Sequence, residues 1–115
     1  MKEDKLSDLS MQLSVDVLNL VKELRNKKEN IISNQIGRSA TSVCANIREA
    51  FYAHSKADFI AKLQIALKEC SESEYWLELL IESGYYCDKT ILDRCIEIKK
   101  ILVSSINTAK EKSQK

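Results

Sequence analysis

The 115-residue chain has no proline and only two glycines, Gly37 and Gly84. Sheet proteins use many tight turns, and turns consume those two residues. Their near absence excludes a turn-rich β fold and favours a few long helices. There is a single histidine, His54, and no H-E-x-x-H or E-x-x-H run, so the paired carboxylate–histidine motifs of a bundle di-metal site are missing. None of the four cysteines, at 44, 70, 87 and 95, forms a C-x-x-C pair. That excludes a zinc ribbon and a thioredoxin-type motif, and leaves Cys44, Cys70 and Cys95 as small core residues in a reducing compartment. No apolar run approaches the ~20 residues that span a bilayer. The start, MKEDKLSDLS, is charged and lacks the apolar centre of a signal peptide. A cytoplasmic protein without membrane contact is expected. With no glycine-rich phosphate loop and no serine elbow, neither catalysis, a cofactor nor a small-molecule substrate is expected.

What is present is helical periodicity almost throughout. Leu6, Leu9, Leu13, Val17, Leu20 and Leu24 step by three or four. Ile32, Ile36, Ala40, Val43, Ile47 and Phe51 make a second line. Phe59, Leu63, Ala66, Leu67, Cys70, Leu77, Leu80 and Ile81 make a third, and Ile91, Cys95, Ile98, Leu102 and Ile106 a fourth. Asn26 can close the first helix in a left-handed conformation, Ser55 can cap the third, Gly84 can stop it, and Asp88 or Thr90 can cap the fourth. The expected helices run over about 5–26, 29–52, 56–83 and 89–111, with KEKSQK at the end fraying. At 1.5 Å per residue they are ~33–42 Å long. Turns of a few residues make consecutive helices antiparallel neighbours. The expected fold is all-α, one domain over 1–115, an antiparallel up-down-up-down four-helix bundle; a coiled-coil dimer of two hairpins is the structural alternative.

The second helix is unusually thin. IGRSATSVCANIREA (36–50) carries long aliphatic side chains only at Ile36, Val43 and Ile47. At 100° per residue, the core line from Ile32 to Ala50 fills an arc of about 80°. Beside it runs a second strip, Gln35, Ser39, Ser42, Asn46 and Glu49, small or uncharged except at its end. Small residues let another backbone come near, and a buried asparagine must find partners or cost about 1–3 kcal/mol. This strip is expected to be covered, by a helix of the same chain or by another subunit. Arg38 and Glu49, with Arg48 and Glu74 as further candidates, are expected to form ion pairs to an adjacent helix or subunit; the competing role for Arg38 or Arg48 is phosphate contact.

The net charge of +1 gives no global pull toward nucleic acid. Locally, three lysines face six acids between Ser55 and Gly84, and seven bases face four acids from Tyr85 onward. Candidate phosphate contacts are Lys22, Arg25, Lys27 and Lys28 at one end, and Arg94, Lys99 and Lys100, with Lys110 and Lys112, along the last helix. Tyr85 and Tyr86 can stack on bases or cap the core.

The segment from Gln35 through Glu49 and Ala50, followed by Ser55, Asp58, Phe59, Leu63, Ala66 and a glutamate best matched by Glu74, resembles the four-helix-bundle family of 23S rRNA intervening-sequence proteins. The matched polar positions are Gln35, Arg38, Ser42, Asn46 and Glu49; Ala50 stands where glycine is more usual. The resemblance implies a bacterial protein that forms a cyclic homopentamer around a central channel, in a family whose biochemical role is largely unassigned. A related branch, the accessory proteins of diversity-generating retroelements, binds nucleic acid and a reverse transcriptase through basic surface. A self-assembling, non-catalytic bundle that binds RNA or an RNA-handling protein is therefore expected, with a protein–protein adaptor as the alternative.

Overall fold

In the computed structural model, which describes residues 2–113 and the side chains of 5–112, four helices account for the chain: α1 (Lys2–Asn26), α2 (Ile31–Phe51), α3 (Lys56–Glu82) and α4 (Thr90–Ser113). Each helix packs on its sequence neighbours and α1 closes on α4, while the diagonal pairs keep their Cα atoms more than 8 Å apart among the described residues. The result is a four-helix bundle of 52 × 21 × 20 Å. Directions alternate. Leu6, Phe51, Phe59 and Ala109 line one cavity, which brings the start of α1, the end of α2, the start of α3 and the end of α4 to the same end. At the opposite end Lys27 donates to the Tyr85 carbonyl at 3.2 Å, so the α1–α2 and α3–α4 turns lie together.

Fully buried large side chains come from every helix: Leu13 and Leu24, Ile36 and Ile47, Leu63, Leu77 and Leu80, Ile98 and Leu102. Cys70 and Cys95 fill the α3–α4 seam as free thiols, each bonded to the other's carbonyl, Sγ to O 3.2 and 3.3 Å. The large side chains of a typical core would hold the helices farther apart there. The hydrogen bond with the facing Cys70 thiol, and then burial, push the Cys95 thiol far up, which keeps it protonated and unreactive.

The helix ends depart from expectation in instructive ways. Helix α1 ends at Asn26 as expected, but Asn26 is not the left-handed residue that closes it. Lys28 takes the left-handed conformation, φ 63°, and Glu29 N–H reaches the Leu24 carbonyl at 2.8 Å. Leu24 is fixed by burial, so the closing residue falls four positions later, whatever its side-chain preference. Gly84 plays the same part after α3, with φ 82°. Glu29 was expected inside α2; it lies before the helix and its carboxylate accepts from the amides of Ile31 and Ser33, at 3.2 and 2.9 Å. Those amides are otherwise unpaired at a helix start. Ser55 accepts from Asp58 N–H as expected, and Asp88 caps α4 through Thr90. Helix α4 runs to Ser113, past the expected fraying; residues 114 and 115 lie outside the described residues.

One buried hydroxyl finds no hydrogen-bond partner among the described residues, that of Ser33. Burial of an unpaired hydroxyl is unfavourable, and alanine is the better helix former. Ser33→Ala is expected to stabilise the chain by about 1 kcal/mol, read as a raised urea midpoint with unchanged slope.

Candidate assembly and nucleic-acid surfaces

The thin strip of α2 divides in two. Ser39 is fully buried against α3, its hydroxyl 2.8 Å from that of Ser73. Ser73 donates to the Glu69 carbonyl at 2.9 Å, so its oxygen is left to accept from Ser39. Two hydroxyls thus replace two bulky side chains where α2 and α3 lie close. Ser42 and Asn46 are half-buried, and Asn46 donates to the Ser42 carbonyl at 2.9 Å within its own helix. Gln35 and Glu49 are exposed. Cover by the same chain, expected for the whole strip as one option, holds for Ser39 and only partly for Ser42 and Asn46. The strip spans roughly 80° of the helix wheel, and α3 shields only its inner edge.

Arg38 bridges to α3, bonded to Glu69 at 2.9 Å and to both carboxylate oxygens of Glu72 at 2.7 and 2.8 Å. The guanidinium holds the Glu72 carboxyl below the usual carboxylate range, and the two glutamates push Arg38 up. Because the folded Glu72 pKa is depressed, its stabilisation is present above the unfolded value and is lost as pH falls through the folded one. Arg38→Ala is therefore expected to make the loss of stability below about pH 5 shallower. At neutral pH it removes no more than about 1 kcal/mol, since Arg38 is half exposed. Melting temperatures from pH 7 to 3 for both proteins check this.

Glu74 pairs with Lys99 at 2.5 Å, and Arg94 with Asp16. Two expected phosphate contacts of the last helix are thereby engaged by carboxylates, while Lys100, Lys110 and Lys112 stand exposed without an ion pair among the described residues. At the turn end, Arg25 donates to Asn34 at 2.9 Å and Lys27 to the Tyr85 carbonyl. Lys22 and Lys28 are exposed and carry no ion pair among the described residues. Tyr85, whose carbonyl Lys27 reaches, is also exposed. Tyr86 instead leans on the core and accepts from the Ile91 amide, and burial raises its hydroxyl pKa. His54 is an exposed turn residue.

Two features went unnoticed in the sequence. Met11, Val15 and Leu18 of α1 are exposed at 39%, 45% and 49%, and step by four and three along one face. On α3, Ile65 and Tyr75 are exposed, with Trp76 half-buried and packed against Tyr75 at a tilt of 58°, ring centres 4.9 Å apart. The signal was available: apolar residues at helical spacing outside the core line widen a stripe beyond what one chain can bury.

No group of three metal-binding side chains occurs among the described residues, and none of their helices is long and apolar enough to cross a membrane. The profile of the 23S rRNA-intervening sequence protein family matches residues 2–104. The chain belongs to this family. A solved structure from Bacteroides thetaiotaomicron, described as a protein of unknown function from the S23 ribosomal protein family, is 49% identical. The similarity covers 93% of this chain and 99% of that one, with a TM-score of 0.90. No curated protein matches the chain. Membership thus fixes the bundle without supplying a reaction.

Proposed function

We propose that this family member is a non-catalytic, self-assembling bundle of the bacterial cytoplasm, a ring of five copies that scaffolds RNA or an RNA-handling protein. The observation that carries it is the pair of apolar strips left outside a core that is already complete. Scattered surface hydrophobes are ordinary, but runs at helical spacing on a small protein indicate a protein contact. The number five comes from the family resemblance. The exposed cations Lys22, Arg25, Lys27 and Lys28 near the α1–α2 turn, and the exposed Tyr85 whose carbonyl Lys27 reaches, support phosphate contact and stacking. A ring repeats those groups in every copy, so weak contacts add through avidity.

Retention of labelled single-stranded RNA by the purified protein, from 50 to 300 mM salt, tests this. Binding that falls steeply with salt, and that Lys22→Ala/Lys28→Ala weakens while flattening the slope by roughly 0.7 per lost phosphate contact per chain, supports the RNA reading. Absence of binding at the lowest salt removes it. The adaptor reading then stands, favoured by the engagement of Arg38, Arg94 and Lys99 with carboxylates of the same chain.

A further inference from the structure

The two exposed strips lie on different faces of the bundle. Val21 lies against Gly37, which puts α2 on one flank of α1, and the Asp16–Arg94 pair puts α4 on the other. On the helix wheel Met11 and Leu18 fall on the α2 side, so the α1 strip borders the α1–α2 face. On α3, Ser73 faces α2 and Cys70 faces α4. Ile65 and Trp76 lie on the Ser73 side, with Tyr75 outermost, so their strip borders the α2–α3 face.

Helix α2 supplies a charge to each. Arg48 and Glu49 are both exposed, and no ion pair among the described residues involves either. Successive helical residues point about 100° apart, so they cannot pair with each other. Arg48 falls on the Gly37 side, with the α1 strip. Glu49 falls beyond Ser39, with the α3 strip. The α1–α2 face therefore carries an exposed apolar row with the cations Arg48 and Lys22, neither in an ion pair among the described residues. The α2–α3 face carries Ile65, Tyr75 and Trp76 with Glu49 and Lys68, and with the Arg38–Glu69–Glu72 cluster between Ile65 and Trp76. Arg48 and Glu49 are opposite in sign.

The heights also match. Leu6 shares a cavity with Phe59 and Leu63 at one end, and Lys27 reaches Tyr85 at the other, so α1 and α3 run in the same direction. Interpolating between those contacts sets Leu18 level with Tyr75 and Trp76, and Met11 close to the level of Ile65. Arg48 and Glu49 are adjacent and so stand at one level. Rotation about an axis parallel to the bundle keeps every residue at its own height, so copies related that way bring these groups together.

The geometry points to a head-to-tail interface between copies of this chain: the Met11–Val15–Leu18 strip with Arg48 of one copy docks on Ile65, Tyr75 and Trp76 with Glu49 of the next. This rests on the self-assembly proposed above and specifies its surfaces. Two unlike faces make the contact heterologous. They share the α2 corner and so meet at an angle, which turns each successive copy and closes a ring; back-to-back faces would give a filament.

Two single variants of the full chain, Leu18→Glu and Tyr75→Glu, test it by sedimentation velocity, with helicity and melting recorded to show that each is folded. Ile65→Glu is a second variant on the α3 side. Each variant alone is expected to sediment as a single chain. Mixed one to one, Leu18→Glu and Tyr75→Glu are expected to form a heterodimer of twice the chain mass and nothing larger, since only one intact pair of faces remains. Arg48→Glu and Glu49→Arg are each expected to shift the wild-type assembly toward monomer, and the double swap to restore it. The proposal is overturned if Tyr75→Glu and Ile65→Glu keep the wild-type mass while Leu18→Glu dissociates, which would mean that α1 strips pair with each other. It is equally overturned if the mixture stays monomeric. A monomeric wild type would remove the self-assembly reading itself, whereas an assembled wild type with either of those outcomes removes only these surfaces.

Discussion

Leu77→Ala is expected to lower the unfolding free energy by about 2–5 kcal/mol, the largest effect of any single change considered. Leu77 is fully buried in the C-terminal third of α3, a helix that packs between α2 and α4. Truncation removes its transfer free energy and leaves a cavity, and long helices packed on both sides collapse poorly into such a space. For a domain of this size the melting temperature should fall on the order of 10–20 °C. Leu79, two residues on and half-buried, is the control: Leu79→Ala should cost clearly less. Equal losses at the two positions would contradict the placement of the core. Thermal and urea melts read both.

Ser39→Leu is expected to destabilise by about 1–3 kcal/mol for the opposite reason. Ser39 has no exposed surface, and its hydroxyl sits 2.8 Å from that of Ser73. A leucine there has no free space, so α2 and α3 must separate or the side chain must leave its preferred rotamer. Ser39→Ala removes only a hydroxyl–hydroxyl bond, and Ser73 keeps its bond to the Glu69 carbonyl, so the loss should be about 1 kcal/mol or less. A leucine tolerated as well as the alanine would mean that the α2–α3 seam is not close.

The core was legible because one side of each helix is predominantly apolar. Ile36, Ala40, Val43 and Ile47, and Leu63, Ala66, Cys70, Leu77 and Leu80, are all buried where their spacing put them. The ends of the helices were less so, because closure depends on tertiary anchors. Leu24, held in the core, decides that Lys28 and not Asn26 turns left-handed. Glu29 caps α2 with a side chain that a sequence pattern counts as one more helical residue.

Ion pairs were legible only where one helix pair was at stake. Arg38 was expected against a neighbouring helix and meets Glu69 and Glu72 there. The engagement of Arg94 with Asp16 depends on the register between α1 and α4, which are far apart in sequence and carry no mutual periodicity to read. The strip from Gln35 to Glu49 looks uniform in the sequence, yet three-and-four stepping spreads it over an arc wider than α3 can cover. Ser39 therefore lies in the seam, while Gln35 and Glu49 reach the surface, beside the apolar row of α3.

The proposed function rests on self-assembly of the bundle. Light scattering from the full chain at physiological salt, over a tenfold range of concentration, measures that directly. A constant mass five times the 13.1 kDa of one chain is expected. A mass of 13.1 kDa throughout would contradict it.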